Sequence, residues 1–230
     1  MTELAVKDGP LNRIWHNFCQ FISVSAVAIL YRMRVFDREN VPKNGPVLIL
    51  CNHQSFLDPM FSHSWVWRPF FFLARETLFR GLFGVLIRSV YAVPIHQGKA
   101  DLAAVKTIIN LLKQGKPVCI YPEGSRTFDG RIADLRPGFC LIVRRTGAPI
   151  VPVVIDGAFE CWPRTRKYPR LTGRVAVVYG KPIMADHVKQ MGDEEFAREF
   201  TQLLRDMQGN LRQKIGKEPM DYSTPVPTDY

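Results

Sequence analysis

The chain has 230 residues, enough for one domain with a sizeable core, and 47% of them are hydrophobic, which excludes an intrinsically disordered chain. Against 21 Asp and Glu stand 31 Lys and Arg, a net charge of +10. That balance favours anionic partners such as nucleic acid, anionic lipid or phosphorylated metabolites, or it is simply a soluble basic surface. The five cysteines, Cys19, Cys51, Cys119, Cys140 and Cys161, are widely spaced and form no Cys-x-x-Cys. Neither zinc nor a disulfide framework is expected, and buried reduced thiols in a cytosol-facing protein are.

In chain order, residues 11–34 come first. An apolar run from Phe21 to Tyr31 is flanked by Trp15 and His16 before it and by Arg32 and Arg34 after it. It is about half the length of a bilayer crossing and lacks a signal-peptide cleavage site. A helix lying in a membrane interface fits this pattern, with a core helix of a soluble domain as the alternative. VLILC (47–51) and FFFLA (70–74) are predicted strands, TLFRGLFGVLIRSV (77–90) a helix and AVPI (92–95) a short strand. DLAAVKTIINLLKQGK, from Asp101, has apolar residues at helical spacing; Asp101 can cap it and Gly115 ends it. PVCIYP, IVPVVID and VAVVYG are predicted strands; GFCLIVRRTG and residues 193–215 are predicted helices. This alternation predicts an α/β fold with a mixed or largely parallel sheet flanked by helices. The proline-bearing segment 219–230 is expected to be a flexible tail.

Two polar clusters follow apolar strands. NHQSFLDP places His53 five residues before Asp58, straight after PVLILC. His96 and Asp101 in HQGKAD repeat that spacing, and with five histidines chance alone gives roughly a quarter of a match, so spacing cannot choose between the pairs. The second cluster, YPEGSRTFDGR, follows PVCIYP. In parallel sheets ligands collect beyond the carboxyl ends of strands, so the two clusters are expected to share a crevice. Glu123, Gly124, Ser125 and Arg126 offer a carboxylate, a permissive turn, a hydroxyl and a guanidinium suited to gripping phosphate; an ordinary turn with a surface Arg is the alternative.

NHQSFLDP, then YPEGSR some seventy residues later, then RPGF and the proline-bearing strand IVPVVI, resemble the glycerophospholipid acyltransferase family, the 1-acylglycerol-3-phosphate acyltransferases most of all. The resemblance runs from about Val41 to Ile183. With the interface helical segment over 1–40 and the tail over 219–230, it implies a single acyltransferase domain over 41–218. It implies an enzyme of phospholipid biosynthesis that moves an acyl group from acyl-CoA or acyl carrier protein to a lysophospholipid hydroxyl, giving phosphatidic acid. No cofactor and no metal are implied, and the setting is membrane-associated at the cytoplasmic face of an anionic membrane surface. His53 then takes the part of general base and Asp58 orients it, which suits the chemistry, because a protonated alcohol is a poor nucleophile. A backbone N–H near Gly124 or Ser125 is the expected oxyanion donor. Glu123, Gly124, Ser125 and Arg126 become substrate contacts, with Arg136 a further basic residue. One departure stands out: His96 and Gln97 occupy the place where the family commonly has a phosphate-binding Arg, with Lys99 nearby as a point charge. A lyso-lipid acceptor with another head group, such as lyso-ornithine lipid, is therefore an alternative.

Other classes fit less well. A thioester or lipid hydrolase needs its own nucleophile; Cys51, near His53 on the strand, has apolar neighbours, and no Gly-x-Ser-x-Gly or paired-His metal motif is present. A non-catalytic lipid- or nucleic-acid-binding domain remains the third class. Nucleic acid is not expected as a partner, because the basic residues are scattered and no recognition motif accompanies them.

Overall fold

The computed structural model describes residues 15, 18, 21–22, 25–63, 65–66, 68, 70–79, 91–95 and 101–229. Among them seven strands form one sheet: β1 (Arg34–Phe36), β2 (Val47–Cys51), β3 (Phe71–Arg75), β4 (Ala92–Ile95), β5 (Pro117–Ile120), β6 (Ile150–Asp156) and β7 (Ala176–Tyr179). Their order is β1-β7-β6-β2-β5-β3-β4, and every pairing is parallel except β6 with β7. The α-helices are α1 (Asp58–Ser62), α2 (Asp101–Lys113), α3 (Gly138–Thr146), α4 (Ala158–Cys161), α5 (Ala185–Lys189) and α6 (Asp193–Lys214).

Continuous apolar runs rather than alternating ones mark strands covered on both faces. In β2 every residue is fully buried. Leu48 and Leu50 face a core built with Ile108 and Leu112 of α2, Phe139 and Val143 of α3 and Phe196, Phe200 and Leu204 of α6. Val47, Ile49 and Cys51 face the opposite core, with Phe61 of α1, Val151 and Val153 of β6 and Tyr31. Helix α6 carries its buried residues at i, i+4 and i+8, and places Asp193, Glu194 and Glu195 in its first turn and Arg212 and Lys214 in its last, which suits the helix dipole.

Several local expectations are corrected. The strand expected at 70–74 is β3, one residue later, because Phe72 and Ala74 pair with Ala92 and Pro94. The segment after β5 leaves the sheet at Ile120 rather than at Pro122. Of the helix expected over 77–90, residues 76–79 form a 3-10 turn and 80–90 lie outside the described residues. Arg34, read as the basic flank of the interface helix, instead begins β1 and pairs with Ala176. Residues 25–30 are helical and divide in two: Val27 is buried while Ile29 is 79% exposed. The tail is not loose. Tyr222 Oη accepts the Ile132 N–H at 2.8 Å and donates to Gln208 Oε1 at 2.6 Å, and Arg131 donates to the carbonyls of Asp221, Thr224 and Pro225.

Candidate active site

β2 lies between β6 and β5, so the loops leaving all three strands meet at one sheet edge. The loop after β2 is stitched to both neighbours. Asn52 continues the ladder past the end of β2, donating to Ile155 O at 2.9 Å and accepting the Ile155 N–H at 2.8 Å. Gln54 donates to Gly130 O and accepts the Ala158 and Phe159 N–H groups that open α4. Ser55 Oγ donates to Trp162 O at 3.1 Å. Buried polar side chains with these bonds made are a rigid mount for the residue between them.

That residue is His53. Its Nδ1 lies 2.7 Å from Asp58 Oδ2. The same oxygen accepts the Gln54 N–H at 2.6 Å and the Ser55 N–H at 2.7 Å. Three donors converge on one oxygen, so Nδ1 carries the proton and Nε2 is left as the basic nitrogen. The His53 side chain is 22% exposed while Asp58 is completely buried. Burial raises the Asp58 carboxyl above its ordinary value, opposed by its hydrogen bonds to His53, Ser55 and Gln54. The imidazole stacks on Tyr121, centroids 4.1 Å apart and planes 17° apart, which fixes the ring plane. Asp58 is the first residue of α1, but its side chain bonds the turn that precedes the helix rather than capping it.

The EGSR loop after β5 touches the same mount. Glu123, expected to contact substrate, is instead a brace: it is 1% exposed, Oε1 accepts the His53 N–H at 2.6 Å and Oε2 accepts the Ala133 N–H at 2.9 Å. Both oxygens are engaged by backbone, and burial pushes its carboxyl up to about 8. Thr127 N donates to His53 O at 2.8 Å, closing the loop onto the histidine from the other side. Gly124 has φ +79°, which favours glycine, and the Arg136 guanidinium packs close to where a Cβ would sit, so Arg136 is seated on the loop. The Gly124 N–H is spent on Tyr121 O at 3.1 Å, which removes it as the expected oxyanion donor. Arg126 lies over the Phe56 ring, 3.4 Å from its centroid, beside the His53 loop.

The structure thus gathers His53, Asp58, Glu123, Gly124, Ser125, Arg126 and Arg136 at one place. His96 and Lys99 lie outside the described residues; the strand before them, β4, is the sheet edge three strands away from β2. Sequence reasoning assigned no role to Asn52, Gln54, Tyr121, Phe56 or Thr127. Polar residues flanking His53 at the end of an apolar strand were the available signal for the first two, whereas the Tyr121 stack has none in one dimension. Cys51 is fully buried in the core it shares with Phe61 and Tyr31, and burial raises its thiol well above its ordinary value, so it is no nucleophile. Among the described residues no His, Cys, Asp and Glu cluster is placed to hold a metal.

Residues 32–156 match the Acyltransferase family. A chloroplastic 1-acyl-sn-glycerol-3-phosphate acyltransferase of Arabidopsis thaliana is 27% identical over 76% of this chain and 50% of its own length. The chain therefore spans about half the length of the plant relatives it matches. Proteins named 1-acyl-sn-glycerol-3-phosphate acyltransferase are 24% identical in Bacillus subtilis, over 87% of this chain and 98% of that one, and 30% identical in Pseudomonas aeruginosa, over 74% and 66%. The fold is that of the 1-acyl-sn-glycerophosphate acyltransferase PlsC of Thermotoga maritima, with a TM-score of 0.72, 24% identity, and coverage of 86% of this chain and 80% of that one.

Proposed function

Because this chain belongs to the Acyltransferase family, we propose that it acylates the free hydroxyl of 1-acylglycerol-3-phosphate, drawing on acyl-CoA or acyl carrier protein and yielding phosphatidic acid. The observation that carries the reading is the 2.7 Å His53–Asp58 contact in a partly exposed ring, at the strand edge that also presents Arg126. His53 Nε2 takes the acceptor's hydroxyl proton as its oxygen attacks the thioester carbonyl. A C–O bond forms, the carbonyl becomes a tetrahedral oxyanion, and its collapse breaks the C–S bond. The thiolate leaves with the proton that His53 held. Asp58 keeps Nδ1–H in place and stabilises the imidazolium between the two transfers. Neither a nucleophile nor a cofactor from the protein enters the sequence, since the acceptor supplies the attacking oxygen. The names of the relatives support the acceptor. The departure at His96 and Gln97 favours a second reading, a lyso-lipid with another head group such as lyso-ornithine lipid.

The reaction is proposed to run at an anionic membrane surface. Among the described residues no helix is long and apolar enough to cross a membrane. Trp15, Phe18, Phe21, Ile22, Ile29 and Leu30 are nevertheless exposed, which favours an interface rather than a core for this segment. Purified protein mixed with labelled acyl-CoA or acyl carrier protein and a panel of lyso-lipids tests the reading. Acylation of 1-acylglycerol-3-phosphate above all other acceptors is expected; acylation of lyso-ornithine lipid alone would favour the second reading, and release of free fatty acid without an acceptor would replace both with a hydrolase.

A further inference from the structure

The segment after α6 reaches back to the rim of the site. Arg131 and Tyr222 anchor its first half through the bonds described above. Farther along, the Asp229 carboxylate is gripped by Arg164: Nη1 lies 2.8 Å from Oδ2 and Nη2 lies 3.0 Å from Oδ1. Arg164 is itself aimed, since Nη1 also donates to the Arg126 carbonyl at 3.3 Å and the guanidinium sits 4.0 Å over the Phe128 ring. Asp229 is held below the usual carboxylate range first by its Arg164 hydrogen bonds, then by a hydrogen bond with Ser125, and also by the charge of Arg126. A carboxylate of the chain's own is therefore gripped by one guanidinium that is itself bonded to the EGSR loop, near enough to Ser125 and Arg126 for both to lower it. A planar fork that takes a carboxylate with two parallel bonds takes a phosphate the same way.

We propose that Arg164 extends the anion-binding EGSR loop and that Asp229 is a built-in competitor for a phosphomonoester bound there. The identity of the phosphomonoester as the acceptor's head group rests on the acyltransferase reading; the competition itself does not. Neither Arg164 nor Asp229 falls in residues 32–156, the stretch that carries the family match. The device selects by charge. A phosphomonoester brings about −1.5 to −2 and three strong acceptor oxygens, against a single charge and two oxygens on Asp229. A phosphodiester brings one charge and displaces Asp229 poorly. Occupation of the subsite by Asp229 lowers apparent affinity by the fraction of molecules in which it is open, roughly three- to tenfold for a contact of this exposure.

The test uses the full chain with glycerol 3-phosphate as probe, followed by calorimetry, and the acceptor KM in the acylation assay. Asp229→Asn is expected to tighten glycerol 3-phosphate binding roughly three- to tenfold and to lower acceptor KM by the same factor, with the change in KM rather than in kcat. Arg164→Gln is expected to weaken binding and to erase the gain of Asp229→Asn in the double variant. Arg164→Lys guards against misfolding, since it keeps the charge and is expected to restore binding in part. Equal binding by the wild type and Asp229→Asn overturns the competition, and unchanged binding by Arg164→Gln overturns the subsite. Glycerol 3-phosphate is expected to inhibit acylation competitively with the acceptor; competition with acyl-CoA instead would assign the subsite to a donor phosphate and overturn the acceptor assignment. If no lyso-lipid is acylated, the proposed function fails, while the calorimetry still decides whether Asp229 competes.

Discussion

The two His-x-x-x-x-Asp pairs have the same spacing, but the contacts of only one are described, and those contacts are what a general base requires. His53→Ala is expected to lower kcat by roughly a thousandfold or more, and Asp58→Asn nearly as much, because an amide there presents the wrong partner to Nδ1. Steady-state kinetics of the folded variants with one acyl donor measures both; a fully active His53→Ala would mean that the polar loop merely holds α1. His96→Ala is expected to alter acceptor KM or preference and to spare kcat. Arg126→Lys keeps the charge but loses the fork, so acceptor KM should rise substantially. Glu123 makes a different kind of prediction. Its carboxyl is pushed from an ordinary 4.5 up to about 8, so the folded protein holds that proton more tightly than the unfolded chain does. The resulting stability is complete below pH 4.5 and declines as pH rises towards about 8. Glu123→Gln removes this slope and deprives either the His53 or the Ala133 N–H of its acceptor, at a cost of about 1–3 kcal/mol. Urea titrations of both proteins from pH 4 to 9 read the slope and the cost together; parallel curves would mean that Glu123 titrates normally.

At the scale of elements, parallel pairing of β2 with β5 does the assembling. Ile49 is paired with Cys119 and Leu50 with Ile120, so the strands end together and their loops start side by side. A one-residue slip would exchange the two faces of β5 and pull Glu123 away from the His53 N–H. Gly124 is the most exposed weakness of this arrangement. At φ +79° an alanine costs about 1–2 kcal/mol in backbone strain alone, and its methyl group would also push Arg136 off the loop. Gly124→Ala is therefore expected to fold, to melt lower, and to lose acceptor affinity more than turnover. Thermal melts with acceptor KM and kcat check this, and an unaltered KM would argue that neither the loop's shape nor Arg136 matters to the acceptor.

At the scale of the whole molecule, one patch of the described surface combines exposed apolar residues with basic ones. The helical turn ending at Tyr31 and the loop before β7 are tied by Tyr31 Oη to Arg170 O at 2.8 Å and Val175 N to Tyr31 O at 3.0 Å. Ile29 at 79%, Leu171 at 77% and Tyr168 at 67% stand exposed there, with Arg166, Lys167, Arg170 and Arg174 around them. Removing residues 1–34 would also take Val27 and Tyr31 from the core, so point changes are the cleaner probe. The double change Ile29→Ser with Leu171→Ser is expected to weaken sedimentation with anionic vesicles by about tenfold without lowering the melting temperature. Raised salt should weaken wild-type binding as well, because exposed charges are screened. Vesicle binding indifferent to both would place the membrane contact elsewhere.

The α/β alternation, the β2 and β6 boundaries and the His53–Asp58 pair were legible in the sequence. Doubly covered strands must be apolar throughout, and the loop bearing His53 turns polar where the strand stops. The short β1 was not legible, because Arg34–Phe36 carries no pattern of its own and becomes a strand only by pairing with β7. Nor was the role of Glu123, since a carboxylate in a glycine-bearing turn looks exposed until two backbone N–H groups seventy and ten residues away are brought to its oxygens. The tail misled for the same reason. Prolines and lack of periodicity forbid a helix or a sheet there, yet they say nothing about side chains, and Tyr222, Arg131 and Arg164 fasten the segment without any secondary structure. Local sequence determined the central strands and which loop carries the His53–Asp58 pair, because period and polarity act between neighbours. Only the tertiary structure decided which carboxylate meets the His53 ring, which braces the backbone of its loop and which meets Arg164, because those contacts depend on partners brought together across the chain.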